Sequence, residues 1–123
     1  MDTFASVRYI VDDVPAAIDF YTTHLGFVVR SKPAPAFADV THGPLRLLLS
    51  GPPSSGARAT PADAAGPGRN RIHLIVDDLD AEIDRLQAAG VPFRSEVTTG
   101  PGGRQILVAD PAGNLVELFQ PAN

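Results

Sequence analysis

The residues able to do chemistry are few. The chain has three histidines, His24, His42 and His73, and no cysteine. The absence of cysteine removes thiolate nucleophiles, disulfides and cysteine-ligated zinc or iron–sulfur sites together. No Ser-His-Asp grouping, phosphate-cradling glycine loop or dinucleotide fingerprint is present. Gly100-Pro101-Gly102-Gly103 does not open an amphipathic helix, so it lacks the context of a phosphate loop. His73 and Arg71 stand two apart in a Val/Ile-type strand and so share a face. Glu117 interrupts an apolar strand, where an unpaired carboxylate would be costly. Glu117 and His73 are therefore the candidate general bases, and Arg8 and Arg71 the candidate contacts for a planar or partly anionic ligand.

The elements that must position these residues repeat. Ile10-Val11-Asp12-Asp13-Val14-Pro15-Ala16-Ala17-Ile18-Asp19 lies over Ile75-Val76-Asp77-Asp78-Leu79-Asp80-Ala81-Glu82-Ile83-Asp84 at an offset of 65 residues. Gly43 to Leu49 lies over Gly113 to Phe119 at an offset of 70. Each half reads as a strand, a helix and three shorter strands. The first strands are predicted over 6–11 and 71–76. Asp13 and Asp78 are predicted N-caps, Pro15 fits a first helical turn, and Gly90 fits a left-handed C-terminal stop. Val14, Ile18, Tyr21 and Leu25 follow helical spacing, as do Leu79, Ile83 and Leu86. The remaining strands are expected over 27–31, 37–41 and 45–50, then over 93–97, 104–109 and 115–119. Alternation puts Val7, Tyr9, Val11, Ile72, Leu74 and Val76 against the helices. It puts Ser6, Arg8 and Ile10, Leu45, Leu47 and Leu49, Arg71, His73 and Ile75, and Leu115, Glu117 and Phe119 on the opposite side.

The class this implies is α+β, two tandem β-α-β-β-β modules forming mixed sheets with the helices outside. The expected organisation is a single domain, with module one at 1–51, a linker at 52–69 and module two at 70–123. The linker is dense in Pro, Gly, Ser and Ala, lacks periodicity and reads as flexible. A net charge of −4 offers no basic face for a phosphate backbone, so nucleic acid is not an expected partner. The first residues lack the pattern of a signal peptide, and no apolar run approaches the roughly 20 residues of a membrane helix. The expectation is a cytoplasmic protein with no membrane partner. Lys32 is the only lysine among ten basic residues; with the Ala, Pro and Gly content, that bias hints at a GC-rich bacterial genome.

Several stretches together resemble the vicinal oxygen chelate superfamily, which includes glyoxalase I, extradiol dioxygenases, fosfomycin-resistance enzymes and bleomycin-resistance proteins. They are Val11-Asp12-Asp13-Val14, Phe20-Tyr21 with Leu25-Gly26-Phe27, Val76-Asp77-Asp78-Leu79-Asp80-Ala81, Ala88-Ala89-Gly90-Val91 and Asp110-Pro111-Ala112-Gly113-Asn114-Leu115-Val116-Glu117-Leu118. The resemblance implies cupped sheets with the ligand inside. It also implies metal-ligand slots, two per module, which fall here on Ser6, Leu47, Arg71 and Glu117. Of these only Glu117 is an ordinary ligand. Leu47 has no donor, and the fixed charge of Arg71 repels a cation. The reading that follows has no metal and no cofactor, and pairs Arg71 with Glu117 or turns both to a ligand. The ligand-binding set is Ser6, Arg8, Leu47, Leu49, Arg71, His73, Glu117 and Phe119. The function implied is metal-free sequestration of an aromatic or peptide natural product by a homodimer of the bleomycin-resistance type. The alternatives are a metal-dependent glyoxalase-like lyase, epimerase or dioxygenase with an atypical site on His73 and Glu117, or a metal-free enzyme using one of those two as base.

Overall fold

The computed structural model describes residues 4–64, 66–67 and 70–123. The chain divides into two compact units, Met1–Pro67 and Gly68–Asn123. The first holds β1 (Ala5–Ile10), α1 (Val14–His24), β2 (Val28–Ala34), β3 (Phe37–His42), β4 (Leu45–Ser50) and α2 (Ser55–Ala59). The second holds β5 (Arg71–Ile75), α3 (Leu79–Ala88), β6 (Thr98–Gly100), β7 (Gly103–Ala109) and β8 (Leu115–Pro121). Each unit has a four-stranded mixed sheet, in the order β1-β4-β3-β2 in the first and β5-β8-β7-β6 in the second. The α+β class and the duplicated strand–helix–three-strand plan are thus as the sequence implies.

The same local chemistry starts both long helices. Asp13 accepts from the Ala16 N–H at 3.0 Å and Asp78 from the Ala81 N–H at 3.1 Å, each satisfying a donor that the first turn leaves open. In the second unit Gln120 accepts the Leu79 N–H at 2.7 Å, a further tie between α3 and the last strand. Gly26 and Gly90, which follow the two helices, adopt φ of 74° and 78°. The cores form between helix and sheet. Tyr9, Ala38, Val40, Leu47 and Leu49 are buried in the first unit together with Val14, Ala17, Phe20 and Tyr21 of α1. Ile72, Leu74, Ile106, Val108, Val116 and Leu118 are buried in the second with Leu79 and Leu86 of α3. Ile18 and Ile83, expected on the buried faces, are only half-buried. In α1, Ala17 and Phe20 supply the buried contacts beside Val14 and Tyr21.

Three expectations are corrected. Leu47 and Leu49 do not share a face with Ser6 and Arg8. Strand β1 runs parallel to β4 with Ser6 opposite Arg46, Val7 opposite Leu47, Arg8 opposite Leu48 and Tyr9 opposite Leu49. Directly paired residues point the same way, so Leu47 and Leu49 lie fully buried on the helix side. Second, residues 93–97 are not a strand. Phe93 makes one isolated bridge to Val108, and the Leu107 N–H then donates to the Ser95 hydroxyl at 3.0 Å instead of to a strand partner. Pairing with β7 resumes at Thr98, and Gly100 opposite Gly103 closes the β6–β7 hairpin across Pro101-Gly102. Third, the 52–69 stretch is not featureless: Ser54 caps α2 by accepting the Ala57 N–H at 3.2 Å, and Ala62–Ala64 form a single 3₁₀ turn. Positions 1–3, 65, 68 and 69, within the expected N-terminal and linker segments, lie outside the described residues.

Candidate functional site

In each unit one sheet face is covered by the long helix, and the other carries the polar and charged side chains. The second unit's open face gathers four of the expected ligand residues: Arg71, His73, Glu117 and Phe119. The parallel pairing of β5 with β8 sets His73 opposite Glu117 and Ile75 opposite Phe119. Arg71 Nε donates to Glu117 Oε1 at 2.8 Å, and His73 Nε2 lies 3.4 Å from Glu117 Oε2. The His73 and Phe119 rings pack against each other at a tilt of 38°, with centroids 4.9 Å apart. The Glu117 side chain is only 10% exposed, against 41% for Arg71 and 46% for His73. A buried carboxylate is thus roofed by two half-exposed nitrogen bases.

The sequence reading missed one member of this cluster. Gln105 on β7 pairs with Phe119 and stands on the same face. A carboxylate can only accept, so the Gln105 amide presents its nitrogen, 2.6 Å from Glu117 Oε2 and 3.0 Å from Oε1. Counting β7 in twos from Ala109, opposite Leu115, would have found it. Guanidinium and amide both donate to Glu117, so its two carboxylate oxygens are hydrogen-bonded acceptors.

On the first unit's open face Ser6 is exposed, and Arg8 Nη1 donates to Ser50 Oγ at 2.8 Å. Helix α2 packs over Arg8, and a Cβ on Gly56 would stand 2.0 Å from Arg8 Nη1. That close approach is what glycine permits here. A second buried acid, also missed, lies on β3. Asp39 is fully buried. Its Oδ2 accepts from Arg46 Nε at 2.6 Å and Arg30 Nη1 at 3.2 Å, and its Oδ1 accepts from the Ser31 hydroxyl. Burial alone would push the Asp39 carboxyl up, but these hydrogen bonds outweigh it and hold the carboxyl below its ordinary value of 3.8. The signal was an acid at the paired position between two strands that carry Arg30 and Arg46.

The corrected register moves one metal slot. Arg8 pairs with Leu48 as His73 pairs with Glu117, so Leu48, not Leu47, is the counterpart of Glu117. The donor set does not fit a divalent ion. The first sheet offers Ser6, Arg8 and Leu48; the second offers His73 and a Glu117 already bound to a guanidinium. Among the described residues no group of three or more His, Cys, Asp or Glu side chains could hold a metal ion. Three or four such donors are the usual minimum for a protein-held transition metal.

One other feature is accounted for without ligand chemistry. The Asp110-Pro111-Ala112-Gly113-Asn114 run folds on itself. Asp110 Oδ1 accepts the Ala112 N–H at 3.0 Å and the Asn114 N–H at 2.7 Å, while its Oδ2 accepts the Asn114 amide at 3.0 Å. The most specific motif in the chain is therefore a self-capped turn that starts β8. A cleft of about 540 Å³ opens on the flank of α1, between Ile18, Asp19 and Thr22 of the helix and Lys32, Pro35 and Phe37. Of its lining residues, Phe37 pairs with Ser50 and so has the parity of the first sheet's open face.

The Glyoxalase/Bleomycin resistance protein/Dioxygenase superfamily profile matches residues 3–118. An uncharacterized protein of Mycobacterium bovis is 30% identical over 94% of this chain and 82% of its own length. Among solved structures, lactoylglutathione lyase from Agrobacterium tumefaciens is similar with a TM-score of 0.78, 25% identity, and 98% and 94% of the two chains covered. TnmS3, an antibiotic binding protein from Streptomyces sp. CB03234, matches with a TM-score of 0.75, 26% identity and coverage of 99% and 98%. The chain therefore belongs to the Glyoxalase/Bleomycin resistance protein/Dioxygenase superfamily.

Proposed function

We propose that the protein binds a small organic molecule without a metal and without altering it, and that the ligand is an aromatic or peptide natural product held against the open sheet faces. The single observation that carries this reading is the closed Arg71–Glu117–Gln105 network, in which a guanidinium occupies the place a cation would need. Stacking surface from Phe119 and His73, the fork of Arg71 and the apolar Ile75 beside them supply the few polar and many apolar contacts typical of such sites. The antibiotic binding protein among the similar structures supports the same reading. Sequestration needs affinity alone, so a Glu117 tied up in hydrogen bonds is no obstacle to it.

We further propose that the working form is a homodimer in the cytoplasm, with no nucleic-acid partner. Among the described residues, no helix is long and apolar enough to cross a membrane. A second reading, a metal-dependent enzyme of the glyoxalase kind, draws on the 3.4 Å approach of His73 to Glu117 and on the lyase among the similar structures. A thermal-shift screen of aromatic and peptide antibiotics, run with and without divalent metals, separates the two. The expected result is a raised melting temperature with at least one antibiotic, unchanged by chelator, and recovery of that compound intact. Stoichiometric nickel, zinc, manganese or iron in the purified protein, or turnover of the bound compound, overturns the proposal. Light scattering on the eluted protein reads the dimer.

A further inference from the structure

The open face of the first sheet carries more positive charge than its own acids answer. Arg46 and Arg30 both bind the same oxygen of Asp39, so one carboxylate serves two guanidiniums. Ser31 takes up the other oxygen. Arg8 has a neutral partner, Ser50 Oγ at 2.8 Å. Helix α2, packed on Arg8 through Gly56, brings Ser55, Gly56, Ala57, Arg58 and Ala59, and no acid. This local excess stands in a chain whose net charge is −4, so it is not a by-product of a basic composition.

The register gathers the charges around one point. Leu48 is paired with Arg8 on one side and Asp39 on the other, with Arg46 and Ser50 two residues away on the same strand face. Leu48 is half-buried, and the Arg30 and Arg46 side chains are 48% and 30% exposed above a carboxylate that is wholly covered. An apolar floor thus lies among three guanidiniums, each giving a single N–H to its protein partner, with Arg30 also 5.6 Å from the centre of the Phe4 ring. Guanidinium N–H pairs match the oxygens of carboxylate and phosphate groups, and an apolar floor suits the carbon skeleton behind them.

We infer that this face binds an oxyanion of the carboxylate or phosphate class attached to an apolar or aromatic body, held by Arg8, Arg30 and Arg46 over Leu48. The inference rests on the proposed reading of the open faces as ligand surface. It adds the sign of the ligand's charge, which that reading leaves open.

The test titrates the intact protein with benzoate, phenyl phosphate and the neutral isostere benzamide, and follows the arginine Nε–Hε signals by nuclear magnetic resonance. Benzoate or phenyl phosphate should shift the signals of Arg8 and of Arg30 or Arg46 saturably, and the stronger of the two names the oxyanion. Benzamide should bind at least tenfold more weakly. Arg8→Gln should weaken the anion at least fivefold. Gly56→Ala should do so as well, because its new methyl displaces the Arg8 guanidinium while leaving the charge in the molecule. Equal shifts by benzamide and benzoate would support a ligand surface and overturn its anionic character. No arginine shift at 50 mM of either anion, a concentration of the order of 10 times a millimolar-range Kd, overturns the inference, while the antibiotic screen still decides the broader reading.

Discussion

Arg71→Met probes the electrostatic argument against a metal most directly. The change keeps an unbranched apolar stem and removes the charge that donates to Glu117 Oε1 at 2.8 Å. A divalent ion held by Glu117 Oε2 and His73 would lie about 2 Å from each donor, and hence about 5 Å from the guanidinium. At that distance the repulsion between a double and a single positive charge is about 7 kcal/mol at an effective dielectric of 20, and about 1.7 kcal/mol in bulk water. The Arg71 side chain is 41% exposed, which places the realised penalty at about 2–4 kcal/mol. Removing it should tighten zinc or nickel binding by roughly 30- to 700-fold. Arg71→His should tighten it further, since it adds a third ligand-type side chain beside His73 and Glu117. Isothermal titration or competition with a metal-sensing dye reads the change. The variant loses one charge-assisted hydrogen bond, worth about 1–2 kcal/mol at this exposure, and a melting curve establishes that it folds. If the native protein and Arg71→Met bind nickel within threefold of each other, the guanidinium is not what keeps the ion out and the reasoning fails.

Three further outcomes are expected. Leu47→Ala should cost about 2–5 kcal/mol of stability by urea unfolding, and Leu48→Ala about 1 kcal/mol, because Leu47 is fully buried on the helix side and Leu48 is half-buried on the open face; equal costs would contradict the register. Asp39→Asn should cost about 1–3 kcal/mol at pH 7. Because the folded Asp39 carboxyl is held below its ordinary 3.8, its contribution is present above that pH and lost as pH falls through the folded value, so urea midpoints of variant and native protein should converge as the pH is lowered below 3.8. Gly103→Ala would place a Cβ 2.1 Å from the Gln120 carbonyl oxygen at φ of 148°, and should cost about 3 kcal/mol, read as a lower melting temperature.

What could be read from the sequence followed the strength of its local signals. The repeat at an offset of 65 placed both helices, because Asp13 and Asp78 cap them through side-chain hydrogen bonds that depend on nearby residues alone. The second sheet's open face was legible because Arg71, His73 and Glu117 alternate with Ile72, Leu74, Val116 and Leu118, so polarity itself marks the phase. In β4 the three consecutive leucines 47–49 carry no phase, and the offset of 70 was counted from turns of different length. The pairing corrects it: Ser6 pairs with Arg46 where Arg71 pairs with Leu115, an offset of 69 between β4 and β8. Residues 93–97 failed for another reason. Ser95 competes for a strand hydrogen bond with its side chain, and β propensity does not record such a competitor. The partners of Asp39 and Gln105 lie on other strands, so both could be found only by carrying a register across the sheet.

The strict alternation of β5 and β8 has a further consequence for how such a protein can change. Ile72, Leu74, Val116 and Leu118 hold the scaffold together, while Arg71, His73, Ile75, Glu117 and Phe119 look the other way along the same backbone. The Asp110 turn, held by its own side-chain hydrogen bonds, sets where β8 begins. Substitutions in the second set can therefore accumulate with little penalty to folding, provided Glu117 and its donors change together. A lineage built on this plan is free to trade one cargo for another by editing every second residue.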